Sequence, residues 1–267
     1  MGRLAVWVVV GCLANLAAAS SPSPWKPLSD GVEYAELKPG PASSDIFQVV
    51  RIDPTRARLT AQMASASGKA RTAGDWCESE HLVAAINLGM YLDDHKSNVG
   101  YARSGAHLNQ KRWLSKYQSV LAFGPRKKGI PAAVMLDLDT PFAKERVDDY
   151  DTVIQNLRLV KSPGKGAWGQ QPRRWSEAAV AIDRAGRVLF VFARTPHSMA
   201  DFNQILLALP LDVVNAMHVE GGPEASLSLR GPLHVDSNGS YETGFNENDA
   251  VTAQWEIPNV LGVAAKR

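Results

Sequence analysis

The apolar positions of this chain fall in short runs separated by turn residues. Runs at 46–52, 58–63, 83–87, 119–123, 133–138, 153–160, 178–182, 187–193, 213–219 and 225–229 have the length and composition of strands. A last run, 255–263, contains Pro258 and predicts an edge strand there. Asp183-Arg184-Ala185-Gly186 separates two runs and predicts a hairpin, and Asn238-Gly239 predicts a second turn. Helical spacing is clear once, over 199–209, where Phe202, Ile205, Leu206 and Leu209 share a face. Ser198 and Asp201 have capping-box spacing ahead of it, and Pro210 stops it. A second helix is predicted near 72–81. Many strands and few helices predict an α+β fold, a strand-rich mixed sheet backed by a few helices in a single domain.

The first residues break this pattern. Arg3 is the only charge before an apolar run over 4–19, which ends in Ala17-Ala18-Ala19 and Ser20-Ser21-Pro22. A basic start, an apolar stretch and a small-residue exit predict a signal peptide over 1–19. The expected product is exported, periplasmic or extracellular, with no integral membrane span. Val9-Val10-Gly11-Cys12 also resembles a lipoprotein cleavage box, an alternative that would leave Cys12 lipidated. Residues 20–44 read as a tether and N-terminal segment, and 45–267 as the domain. Without Cys12, Cys77 is alone, so a disulfide framework is excluded and Cys77 is expected to be a buried small residue.

Charge and composition remove further classes. The formal net charge is +2, with no basic patch to suit nucleic acid. Zinc-protease, P-loop and nucleophile-elbow motifs are absent. Asp93-Asp94-His95 has ligand-type side chains, but three adjacent residues cannot all face one ion, so an exposed turn is expected. No metal or cofactor is predicted, and the oligomeric state is not legible.

Three segments carry candidate chemistry. The apolar run 213–219 continues into Glu220-Gly221-Gly222-Pro223-Glu224. A carboxylate at the end of a buried strand, followed by two glycines, can build a site where a ligand approaches the backbone closely. It can equally be a tight turn with solvated glutamates. His218 lies two residues before Glu220 and so on the same strand face. A second run ends in Asn87-Leu88-Gly89-Met90-Tyr91, where Asn87 can bind a ligand or close a local turn. In the third, Trp175-Ser176-Glu177, the carboxylate opens an apolar strand and needs a partner such as Arg173, Arg174 or Arg194. The glycine-rich segment 161–174 reads as a long loop, with Trp168 and Trp175 as flat apolar faces and Arg174 among its cations. The polar stretch 98–110 reads as a loop over the site.

Together the three segments resemble the phosphodiester glycosidase domain family, which shows Asn-Gly-Gly-Phe-Phe, Arg-Thr-Ala-Ile-Gly and Asp-Gly-Gly-Gly-Ser in this order. Here they read Asn87-Leu88-Gly89-Met90-Tyr91, Glu177-Ala178-Ala179-Val180-Ala181 and Glu220-Gly221-Gly222-Pro223-Glu224-Ala225-Ser226. The resemblance spans about 47–263. It implies a hydrolase that cuts a sugar from a phosphodiester, with a glycan or sugar-phosphate substrate. Glu220 is the expected catalytic carboxylate. Asn87, Gly89, Arg174, Trp175, Arg194, His218, Gly221, Gly222 and Glu224 are the expected substrate contacts. Glu177 stands where the family has arginine, and Glu220 is one methylene longer than the family aspartate. With Glu177 as a second catalytic carboxylate, the pair could instead act on an ordinary glycosidic bond. The alternative is a non-catalytic polysaccharide-binding envelope protein that has lost the family's activity.

Overall fold

The protein is described here by a computed structural model covering residues 23–266. In chain order its strands begin with β1 (Lys26–Ser29), β2 (Val32–Leu37), β3 (Phe47–Ile52) and β4 (Ala57–Met63), followed by helices α1 (Ala64–Ser67) and α2 (Ala73–Ser79). Then come β5 (Ala84–Asn87), β6 (Ala102–Ser104), β7 (His107–Gln110), β8 (Ser119–Pro125) and β9 (Ala133–Asp137). The middle of the chain forms β10 (Tyr150–Asn156), β11 (Arg158–Lys161), β12 (Lys165–Gly166), β13 (Trp175–Asp183) and β14 (Val188–His197). Helix α3 (Met199–Ala208) leads to β15 (Val213–Gly221), β16 (Ser226–Leu229), β17 (Val235–Asn238) and β18 (Asn259–Ala265).

These strands form three sheets rather than one. The largest has the order β1-β2-β3-β14-β13-β15-β11-β12, and the others are β7-β6-β10-β8-β9 and β17-β16-β5-β18-β4. The α+β class stands, but the expected mixed sheet does not, because every pairing between the described strands is antiparallel. Strands consecutive in the chain, such as β1 and β2, β6 and β7, β13 and β14, and β16 and β17, turn straight back on one another, which fixes their pairing as antiparallel. Helix α3 carries the chain from β14 to β15 across β13, and α1 and α2 carry it from β4 to β5 across β18.

β13 shows why the large sheet is central. All nine of its residues are buried. Ala178, Val180 and Ile182 face a core shared with Ile86, Leu121, Leu227 and Leu261 of the smaller sheets. Ala179 and Ala181 face the other way, where their small side chains let Phe202 and Leu206 of α3 pack closely. Ser198 caps α3 by accepting from Asp201 N at 3.1 Å. The smaller sheets carry their own outer cores, one of which holds Trp76 and the buried Cys77 of α2.

Several boundaries differ from expectation. The run 153–160 is two strands, because the chain passes from one sheet to another at Leu157. Residues 26–37, set apart as tether and N-terminal segment, form two strands of the large sheet. The last strand starts after Pro258 and lies between β5 and β4 rather than at an edge. Asp183–Gly186 is the expected hairpin, with Asp183 Oδ1 accepting from Ala185 N and Arg187 N. Asn238-Gly239 is no hairpin turn. Gly239 lies against the Gly222 carbonyl and Ser176, where a side chain has no room. No helix among the described residues is long and apolar enough to cross a membrane. The predicted signal peptide and Cys12 lie outside the described residues.

Candidate active site

The site forms where β13 and β15 run side by side. Their register shifts between Ala178 and Ala179, so that Glu220 pairs with Ala178, His218 with Ala179, and Val219 is the extra residue of a bulge. Bulges re-aim side chains. Here His218 and Glu220 both line a cavity of about 190 Å³ with Trp175, Gly221, Arg173 and Glu242. Met90, Leu157 and Met199 supply its apolar wall. The sheet-to-sheet passage at Leu157 closes one side, where the Leu157 carbonyl accepts from His218 N at 2.9 Å.

Glu177 lies behind this surface, fully buried and not lining the cavity. Its Oε1 is 2.5 Å from His218 Nδ1, and its Oε2 accepts from the Trp175 indole N–H at 2.6 Å. Both carboxylate oxygens are thus engaged. The expected arginine partner is replaced by an imidazole and an indole, and the expected direct pairing of Glu177 with Glu220 in catalysis is not what this geometry presents. Burial opposes charge on His218, but the adjacent Glu177 carboxylate outweighs it and holds the imidazole above its ordinary range, with help from Glu220 and Glu242.

Glu220 is only 9% exposed. Burial pushes its carboxyl up to about 8. His218 and the Gly221 N–H, which donates to Oε1 at 3.1 Å, pull it down, while Glu224 and Glu242 push it up. Burial, and then the charge of Glu220, raises the Tyr117 phenol to about 12. Tyr91 is raised by the same causes and by Glu224.

The other expected site residues separate into those that face the cavity and those that build it. The Asn87 amide donates to the Glu224 carbonyl at 3.0 Å and accepts from Ser226 N at 2.8 Å, so it ties the motif loop to β5. Gly221 makes room for protein rather than ligand, since a Cβ there would meet Trp175 Cδ1 at 2.6 Å. Gly222 has φ +65° and packs against Glu242. Glu224 does not line the cavity and acts on it through its charge, its own carboxyl being raised by burial. Arg194 also lies off the cavity. It donates to the carbonyls of Asn238 at 2.6 Å and Val251 at 2.9 Å and pairs with Asp249 at 2.6 Å. It therefore pins the segment that carries Glu242. Arg174 points outward, 3.9 Å from Asp201. Trp168 donates its indole N–H to the Arg158 carbonyl at 2.7 Å. The Asp93–His95 turn is exposed, with Asp94 Oδ1 accepting from Lys96 N and Ser97 N. The 98–110 stretch forms β6 and β7 rather than a loop.

Gly89 is fixed by packing. A Cβ there would stand 2.5 Å from Asn156 Oδ1 and 2.8 Å from Asn98 Oδ1, both buried. Gly89→Ala is expected to lower unfolding free energy by about 1–3 kcal/mol, the usual cost of overpacking. Urea denaturation would measure it, and an unchanged midpoint would contradict the packing argument.

Glu242 was missed from sequence. It follows Asn238-Gly239 in a polar segment with no periodicity. Only the tertiary fold brings it in, through an isolated bridge to Trp175 and the bond from Ser176 N to the Tyr241 carbonyl. A larger recess of about 300 Å³ contains Arg194, but its guanidinium is already engaged there. The 190 Å³ cavity is the better candidate because a buried carboxyl with a raised pKa, an imidazole and an indole converge on it.

The phosphodiester glycosidase family model matches residues 80–264, most of the chain and all three motif segments. The chain belongs to the phosphodiester glycosidase family. Among solved structures, the chain resembles the catalytic domain of zebrafish N-acetylglucosamine-1-phosphodiester alpha-N-acetylglucosaminidase, auto-inhibited by its pro-peptide. The TM-score is 0.63 at 12% identity, over 90% of this chain and 85% of that one. It also resembles a hypothetical protein from Synechocystis, with a TM-score of 0.60 at 15% identity, over 88% of this chain and 62% of that one. At such identities the likeness is one of fold. No curated protein matches the sequence.

Proposed function

We propose that this protein hydrolyses a glycosyl phosphodiester, cutting between the anomeric carbon and the phosphate oxygen. The observation that carries the reading is Glu220, a buried carboxyl that opens on the cavity beside His218 and Glu242 and that burial pushes up to about 8. A protonated carboxyl can hand its proton to the phosphate oxygen as the bond breaks. Phosphate is a good leaving group, so this assistance need be only partial. His218 and Arg173 supply positive charge for the phosphodiester anion. Glu242, the second carboxylate on the cavity, takes the role of base for water. A cavity of about 190 Å³ is below the roughly 300–1,000 Å³ of sites for drug-sized ligands. It fits one sugar or its phosphate, with the remainder of the substrate outside.

The bond class follows the family and the printed name of the zebrafish enzyme. An exported location is supported by the apolar run over 4–19. The test is to offer the purified protein a sugar-1-phosphodiester and a matched aryl glycoside. Turnover of the phosphodiester, declining as pH rises through the Glu220 value of about 8, is the expected result. Turnover of the aryl glycoside alone would move the assignment to an ordinary glycosidic bond. Binding without turnover of either would favour a binding protein.

A further inference from the structure

Glu177 is a costly residue to bury unless something uses its charge. Its two oxygens are divided between His218 Nδ1 and the Trp175 indole, so the carboxylate is held in one orientation. The Trp175 ring in turn stands edge-on to His218, with centroids 6.1 Å apart. His218 Nε2 has no hydrogen-bond partner among the described residues, and the ring lines the cavity. A carboxylate accepting from Nδ1–H fixes which way the ring points, and by stabilising the imidazolium it keeps a proton on Nε2 as well, so that both nitrogens donate.

We propose that Glu177 is a positioning residue: it fixes the His218 ring with Nδ1–H toward itself and Nε2–H toward the cavity, as the anion-binding donor for the phosphodiester group. This rests on the phosphodiester reading above and deepens it. The cationic donor is built from two residues on the adjacent strands β13 and β15. The charged groups around the ring are Glu177 on β13, Glu220 on β15, Glu242 on the 239–251 segment and Arg173 ahead of β13. Glu224 acts more remotely, through Glu220. α3 adds only the apolar Met199 to the cavity wall.

The test uses the whole protein, with ring-nitrogen NMR of His218 and dimethyl phosphate as a stable monoanionic diester. In Glu177→Gln, the His218 titration midpoint is expected to move down by about one pH unit. Affinity for dimethyl phosphate at neutral pH should fall several-fold, with about 10-fold as the ceiling that a one-unit shift of the imidazole sets. The loss should shrink as pH is lowered toward the variant's own His218 midpoint, where its imidazole regains the proton. For a turned-over phosphodiester, KM should rise more than kcat falls. An unchanged midpoint, or a loss of affinity equal at all pH values, overturns the proposal. If Glu177→Gln does not fold, Trp175→Phe frees one carboxylate oxygen, and the same measurements are made on it. A His218 midpoint unmoved in that variant also counts against the proposal. Absence of hydrolysis by the unaltered protein would overturn the phosphodiester reading, while titration and dimethyl phosphate binding would still decide the role of Glu177.

Discussion

Glu220→Gln is expected to fold and to lose about 10³-fold in hydrolysis, within the 10²–10⁴ typical of losing a general acid or base. Glutamine keeps the size of the side chain, so Gly221 and Trp175 need not move. It cannot release a proton to a departing phosphate. In the unaltered protein the rate should fall as pH rises through about 8, because Glu220 then enters its charged form. The variant should lose that limb and retain only a low, flat residue of activity. Binding of dimethyl phosphate should survive in the variant and, at alkaline pH, exceed that of the unaltered protein, because the variant lacks the negative charge that Glu220 acquires. A variant that keeps most of its activity would remove Glu220 from the mechanism.

The second large effect is on stability. The Glu220 carboxyl has an ordinary value of 4.5 and is raised to about 8 in the folded protein. The folded state therefore holds this proton more tightly than the unfolded state does. Its contribution is fully present below about pH 4.5 and is lost progressively as pH rises through about 8. The difference corresponds to a loss of about 5 kcal/mol, at 1.36 kcal/mol for each unit. Two neighbours act in the same direction. Glu224 is also raised, and His218 loses its stabilising charge as pH climbs through its raised value. Urea unfolding between about pH 5 and pH 9 should show falling stability in the unaltered protein. Glu220→Gln should remove most of the slope and be the more stable of the two above about pH 8. Parallel slopes would show that Glu220 ionises in the folded state as readily as in the unfolded one.

The strong core elements were legible because local pattern and tertiary need agree in them. α3 has its cap, its apolar face and its proline stop in sequence, and the structure uses all three. The run 178–182 lies within β13, whose continuous apolar character matches burial on both faces. Elements whose fate depends on distant partners were not legible. Nothing local divides 153–160 at Leu157. The break exists because the two halves pair with β8 and β15, in different sheets. β1 has four residues and a single apolar side chain besides its proline, β2 is interrupted by Glu33 and Glu36, and both gain their place from pairing that begins at β3.

The candidate site divides in the same way. By itself, the sequence determined that a carboxylate would end a buried strand ahead of two glycines, with His218 two residues before it, and that the motifs match one family in order. Those facts depend on local spacing and composition. Tertiary structure alone decided what each group touches. It turned Glu177 away from the cavity and onto His218, made Asn87 a tie and Arg194 an anchor, and brought in Glu242 from a segment without pattern. The physical reason is that a buried charge takes its role from the groups that satisfy it, and those lie across strand pairings dozens of residues apart.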